Sequence, residues 1–131
     1  MNLLYLAFRR GLPNVTQMVD HFQNTFPRAK AFQGGLALVG GICGVAQYFL
    51  DTGHPGAKMI LGSGLLLIGL WPYTMAVIMP INNQLMAGDE PKKKGDAWIK
   101  GMVEKWASVH LVRTVAGGVA FGLCIKALLL N

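Results

Sequence analysis

The sequence predicts an all-α integral membrane protein, a helical bundle of about three transmembrane helices with an amphipathic helix at its N-terminus. Two observations carry that reading. Hydrophobic residues make up 53% of the 131 positions and charged residues only 14%, where a soluble globule carries about 25% charged residues. The apolar residues also gather into three runs, each close to the roughly 20 residues that cross a hydrocarbon core about 30 Å thick. Only a helix can satisfy its own backbone over such a length in lipid.

Residues 1–30 read as an interfacial segment. Met1 to Phe8 is apolar but too short to span, and Arg9, Arg10 and the breaker Gly11-Leu12-Pro13 follow. From Val15 to Phe26, the residues Met18, Val19, Phe22 and Phe26 recur at helical spacing, as in an amphipathic helix lying on a membrane surface. Pro27 is expected to end that helix or tilt it into the first span. The apolar stretch precedes the arginines, an order that does not fit a cleaved signal peptide.

The first span is expected at about 31–50, without a charge and with five glycines. The second, about 59–81, is also uncharged. The third, about 109–130, is interrupted by His110, Arg113 and Lys126. A tight polar loop, Asp51 to Gly56, joins the first two. A polar basic loop, 82–108, joins the second and third; Pro91 and Gly95 bracket its lysines, and a helix is expected from Ala97 onward. The whole chain reads as a single membrane domain.

Three spans put the N-terminal segment and the 82–108 loop on one side. That side holds Arg9, Arg10, Arg28, Lys30, Lys92, Lys93, Lys94, Lys100 and Lys105, against Lys58 and Lys126 on the other. The bias points the basic side to the cytoplasm, or to the matrix of a mitochondrial inner membrane. The net charge of +6 then reads as attraction to anionic lipid headgroups. Nucleic acid is not an expected partner, because the basic residues lie between apolar runs. Asn14-Val15-Thr16 matches a glycosylation sequon, but on the wrong side.

Cys43 and Cys124 each fall within an apolar run and read as small buried hydrophobes. With no His or Cys at ligand spacing, no metal and no cofactor is expected. The small-residue pairs Ala37/Gly41, Gly40/Gly44 and Gly118/Gly122 allow close helix approach, either within the chain or against other membrane subunits.

One constellation goes beyond packing. His110 and Arg113 share a helix face near the start of the third span, with Trp106 one turn earlier. The topology places Asn82, Asn83, Lys30 and Gln33 at the same boundary, and Trp71 and Tyr73 deeper. Ionisable groups in a span often mark function, and a neighbouring arginine favours neutral histidine, which can act as a base. The plainer alternative has Arg113 snorkelling to headgroups while His110 and the asparagines cap helix ends.

Three stretches carry a family resemblance. They are Trp71-Pro72-Tyr73-Thr74 running through Val77-Ile78-Met79-Pro80 to Asn82-Asn83-Gln84-Leu85, then Trp106 to Arg113 with His110 between, and Arg28-Ala29 followed by Gln33 and Leu36-Ala37-Leu38. Together they resemble the DUF1772 family, small membrane proteins that include anthrone oxygenase-like members. The resemblance runs from about Phe26 to the C-terminus. It implies a four-helix membrane bundle and, for some members, cofactor-independent oxidation of anthrones. In that light His110, Arg113, Asn83 and Trp106 are the catalytic candidates. Members usually start with an apolar helix of their own, which this sequence lacks.

The reading favoured by that departure is a non-catalytic accessory or structural subunit of a larger membrane complex, with the mitochondrial inner membrane as one setting. Its partners would meet the glycine-rich helix faces. The alternative is the cofactor-independent oxygenase.

Overall fold

The structure is a computed structural model that describes Arg10 and residues 14–130. Helix α1 spans Val15–Leu50. The Asn14 side chain accepts a hydrogen bond from the Gln17 N–H at 2.8 Å, satisfying one of the orphan donors of its first turn. Pro27 lies inside α1 and does not end it. Neighbouring helices can tolerate the single lost backbone bond. The amphipathic segment is therefore present but continuous with the first span.

Asp51 to Gly56 closes on itself. The Gly56 N–H donates to His54 Nδ1 at 2.9 Å, and the Ala57 N–H to the His54 carbonyl at 2.9 Å. Helix α2 follows over Ala57–Tyr73, then a π-helical turn over Thr74–Ile78 and helix α3 over Met79–Leu85. Pro72 and Pro80 flank the turn. Each removes one backbone donor, and π-turns arise where the i→i−4 ladder is interrupted.

The expected 82–108 loop is largely helical. Glu90–Lys94 forms a short helix, α4, and α5 spans Asp96–Leu128. Gly88 and Gly95, at φ +58° and +91°, make the turns that separate these pieces, in a region open to glycine. Asp96 places a carboxylate in the first turn of α5, where it complements the helix dipole. Among the described residues, three helical stretches, Val15–Leu50, Ala57–Leu85 and Asp96–Leu128, are long and apolar enough to cross a membrane. The chain is an all-α integral membrane protein.

The chain divides into two compact units. The first takes in the chain up to Lys30 and Thr74–Val112, the second Ala31–Tyr73 and Arg113 onward. In the first, Met18, Val19 and Phe22 of α1 pack with Ile81 and Leu85 of α3 and Ile99, Val103 and Ala107 of α5. The spacings are helical on each element, so each contributes one face. Burial of each large side chain contributes about 1.5–3 kcal/mol. The apolar face of the amphipathic segment is thus covered by protein. Gln23 Nε2 donates to the carbonyls of Leu85 at 3.0 Å and Gly88 at 2.8 Å, satisfying orphan acceptors where α3 ends. Lys92 and Asp20 pair at 2.6 Å.

In the second unit the close contacts are made by small residues. A Cβ added to Gly64 would lie 2.8 Å from the Gly41 carbonyl oxygen, and one on Gly44 3.0 Å from the Gly64 Cα. Gly41, Gly44 and Gly64 therefore let the α1 and α2 backbones touch, as small residues do between membrane helices. Around Gly118 and Gly122 there is open space, so that expected pair packs against nothing within the unit. Ser63 is buried, its Oγ 3.0 Å from the Cys124 Sγ. Both cysteines are free thiols, Cys43 exposed and Cys124 half-buried.

Candidate functional site

The first unit contains an aromatic row. On α1, Phe22 and Phe26 stand four residues apart, and so do Trp106 and His110 on α5. This spacing puts each pair on one helix face. Phe26 and Phe22 stack with centroids 5.1 Å apart and planes 6° from parallel. Phe22 meets Trp106 edge-on at 5.4 Å and 89°. Trp106 continues to His110 at 4.9 Å with a 30° tilt. All three centroid distances lie in the attractive range for aromatic pairs. The row thus runs Phe26, Phe22, Trp106, His110. It ends on a ring that can take or give a proton.

Helix α3 carries one buried polar group on the face whose Ile81 and Leu85 pack with Phe22. Ile78, Ile81, Asn82 and Leu85 are all buried, at the i, i+3, i+4, i+7 spacing of one helix face. Asn82 is 0% exposed. Its Nδ2 lies 3.7 Å from the Met79 Sδ, while its Oδ1 is buried without a hydrogen-bond partner.

The expected site residues are thus distributed unevenly. Trp106 and His110 come together, both half-buried. Asn83 is exposed, one position around the helix from the face that turns inward. Arg113 is half-buried and belongs to the second unit. Asn82, Asn83 and His110 all lie inside helices, so none has the end-capping role considered above. Trp71 sits in the second unit, its indole N–H donating to the Gly34 carbonyl at 3.4 Å. Sequence reasoning read Phe22 and Phe26 only as parts of an amphipathic helix, and it named Asn83 and not Asn82 as a site candidate. The signal for Asn82 was available in the helical spacing of Ile78, Ile81 and Leu85. Among the described residues, no three His, Cys, Asp or Glu side chains come together as a metal site.

The family model for anthrone oxygenases matches residues 22–123. The chain belongs to the anthrone oxygenase family. The match begins at Phe22 and so takes in the whole aromatic row, the π-turn, both asparagines and Arg113. No curated protein and no solved structure matches the chain.

Proposed function

We propose that the chain is a cofactor-independent oxygenase that converts anthrone-type substrates to anthraquinones with molecular oxygen. The observation that supports this reading best is the aromatic row ending at His110, set within the stretch that matches the family. Flat fused rings stack favourably on aromatic side chains, and His110 at the end of the row is a base for the methylene opposite the ketone.

In this reading, neutral His110 removes one methylene proton. The electron pair delocalises into the ring system and onto the ketone oxygen as an enolate. The enolate carbon is oxidised by O2, and a C–O bond forms to give a peroxide after protonation. Loss of the second hydrogen from that carbon breaks the O–O bond, expels water and leaves the new carbonyl. One O2 is consumed and one water released per quinone. Trp106, backed by the buried Phe22, holds the rings and keeps water from the carbanion.

An accessory subunit has less behind it. Gly41 and Gly44, two of the glycines expected to face a partner, are taken up by Gly64 inside the second unit, while Gly118 and Gly122 stay open. The test is an anthrone assay of the purified protein in detergent under air, following quinone absorbance. His110→Ala is expected to lower turnover by about 100-fold or more, the usual range for a general base. Undiminished turnover removes His110 as the base, and no turnover by the native protein overturns the reading.

A further inference from the structure

Asn82 is the one polar side chain of α3 that is fully buried. Its Oδ1 has no partner, although buried polar groups are normally hydrogen-bonded. The surroundings on its own helix face, Ile78, Ile81 and Leu85, offer no side-chain donor. An isosteric apolar residue would suit such a place better, because removing an orphaned polar group is neutral or stabilising. The orphan is therefore a free acceptor on the apolar α3 face whose Ile81 and Leu85 pack with Phe22.

A second observation lies next to it. The π-turn Thr74–Ile78 ends four residues before Asn82, between Pro72 and Pro80. Turns of this kind gather at functional sites. The two prolines leave this stretch with two fewer backbone donors than a regular helix.

We propose that Asn82 is a specificity-determining residue whose Oδ1 accepts a hydrogen bond from a phenolic hydroxyl of the bound aromatic substrate. The assignment rests on the oxygenase reading above. A ring hydroxyl brings the missing donor, while a ring without one leaves Oδ1 as it is. A site that hydrogen-bonds a substrate hydroxyl discriminates against the analogue lacking it.

The experiment compares a dihydroxyanthraquinone with unsubstituted anthraquinone as product-like probes, reading the rise in unfolding temperature of the full-length protein in detergent. KM for the matching anthrones is measured in parallel. The native protein should prefer the hydroxylated probe by about tenfold or more in affinity, the factor that one hydrogen bond supports. Asn82→Leu should fold at least as well and lose that preference, raising KM for the hydroxylated substrate with little change in kcat. Asn83→Leu should keep it. If Asn82→Leu retains the full preference, or the native protein binds both probes equally, the role of Asn82 is overturned while the oxygenase reading stands. If the native protein binds neither probe and turns over neither substrate, the site reading itself fails and the assignment goes with it.

Discussion

The two units bury their side chains in opposite ways. In the first, the large apolar groups are inside: Phe22 is 2% exposed and Val103 0%. In the second, the interior contacts are made by Gly41, Gly44, Gly64 and Ser63, while Phe32, Phe49 and Phe121 point outward, each about 70% exposed. One unit is organised as water organises a globule, with apolar area removed from solvent. The other is organised as lipid organises a bundle, with small residues at the contacts and large ones facing the hydrocarbon. A single chain carries both patterns because α1 and α5 each pass from one regime to the other along an unbroken helix.

Two pairs of substitutions sharpen that contrast. Phe22→Ala should have the largest effect, a loss of about 3–5 kcal/mol, because it empties a packed core and breaks the aromatic row. Phe121→Ala in the second unit, the same chemistry on an outward face, should stay within about 0.5 kcal/mol. Denaturant unfolding in detergent measures both, and equal losses would break the comparison. Next in size is Gly64→Val. Its Cβ would meet backbone atoms of Gly41 and Val45 at 2.8 and 2.9 Å, which cannot swing aside, so a loss of about 1–3 kcal/mol is expected. Gly69→Ala, with nothing within 4 Å of the added carbon, should be neutral or gain from helix propensity.

The same contrast explains what the sequence made legible. The second unit announces itself by hydropathy: the uncharged runs 31–50 and 59–81 lie within helices, and the third run lies within α5 up to Leu128. The first unit does not, because its helices are half polar. Asp20, Lys100 and Glu104 dilute the apolar signal while Met18, Ile99 and Val103 keep the helical period. That is why α1 and α5 extend so far beyond the expected spans, and why the expected loop contains α4 and the start of α5. His110 and Trp106 were visible as a pair at i, i+4 on one helix. Phe22 was visible only as an amphipathic residue, since its place beside Trp106 depends on a contact between helices 84 positions apart. The burial of Asn82 was legible only locally, in its spacing with Ile78, Ile81 and Leu85, because a count of 3.6 residues per turn from the second span loses phase across the π-turn.

Smaller effects probe the polar contacts in each unit. Ser63→Ala removes the 3.0 Å contact with Cys124 from the second unit. Hydrogen bonds between membrane helices average about 0.6 kcal/mol, so a loss of that order is expected in the same unfolding measurement. A loss several times larger would mean that polar contacts, and not glycine packing, hold the second unit together.

The first unit's counterpart is the ion pair between Lys92 and Asp20, and its effect should be the smallest. Both side chains keep a third or more of their surface exposed, 34% and 50%, and exposed pairs contribute little. The Lys92 pKa is raised, first by its hydrogen bond with Asp20, with burial opposing and the charges of Asp20 and Asp89 adding to the rise. A raised lysine favours the folded state while protonated in both states. The contribution is therefore fully present below the ordinary lysine value, about 10.4, and fades as pH climbs through the higher folded value. Asp20→Asn should lower the unfolding midpoint slightly at neutral pH and low salt, and the gap from the native protein should close in strong alkali. Salt at about 1 M should close it as well, because the screening length then falls to roughly 3 Å. A gap that survives both would show that Asp20 acts through packing on α1 and not through its charge.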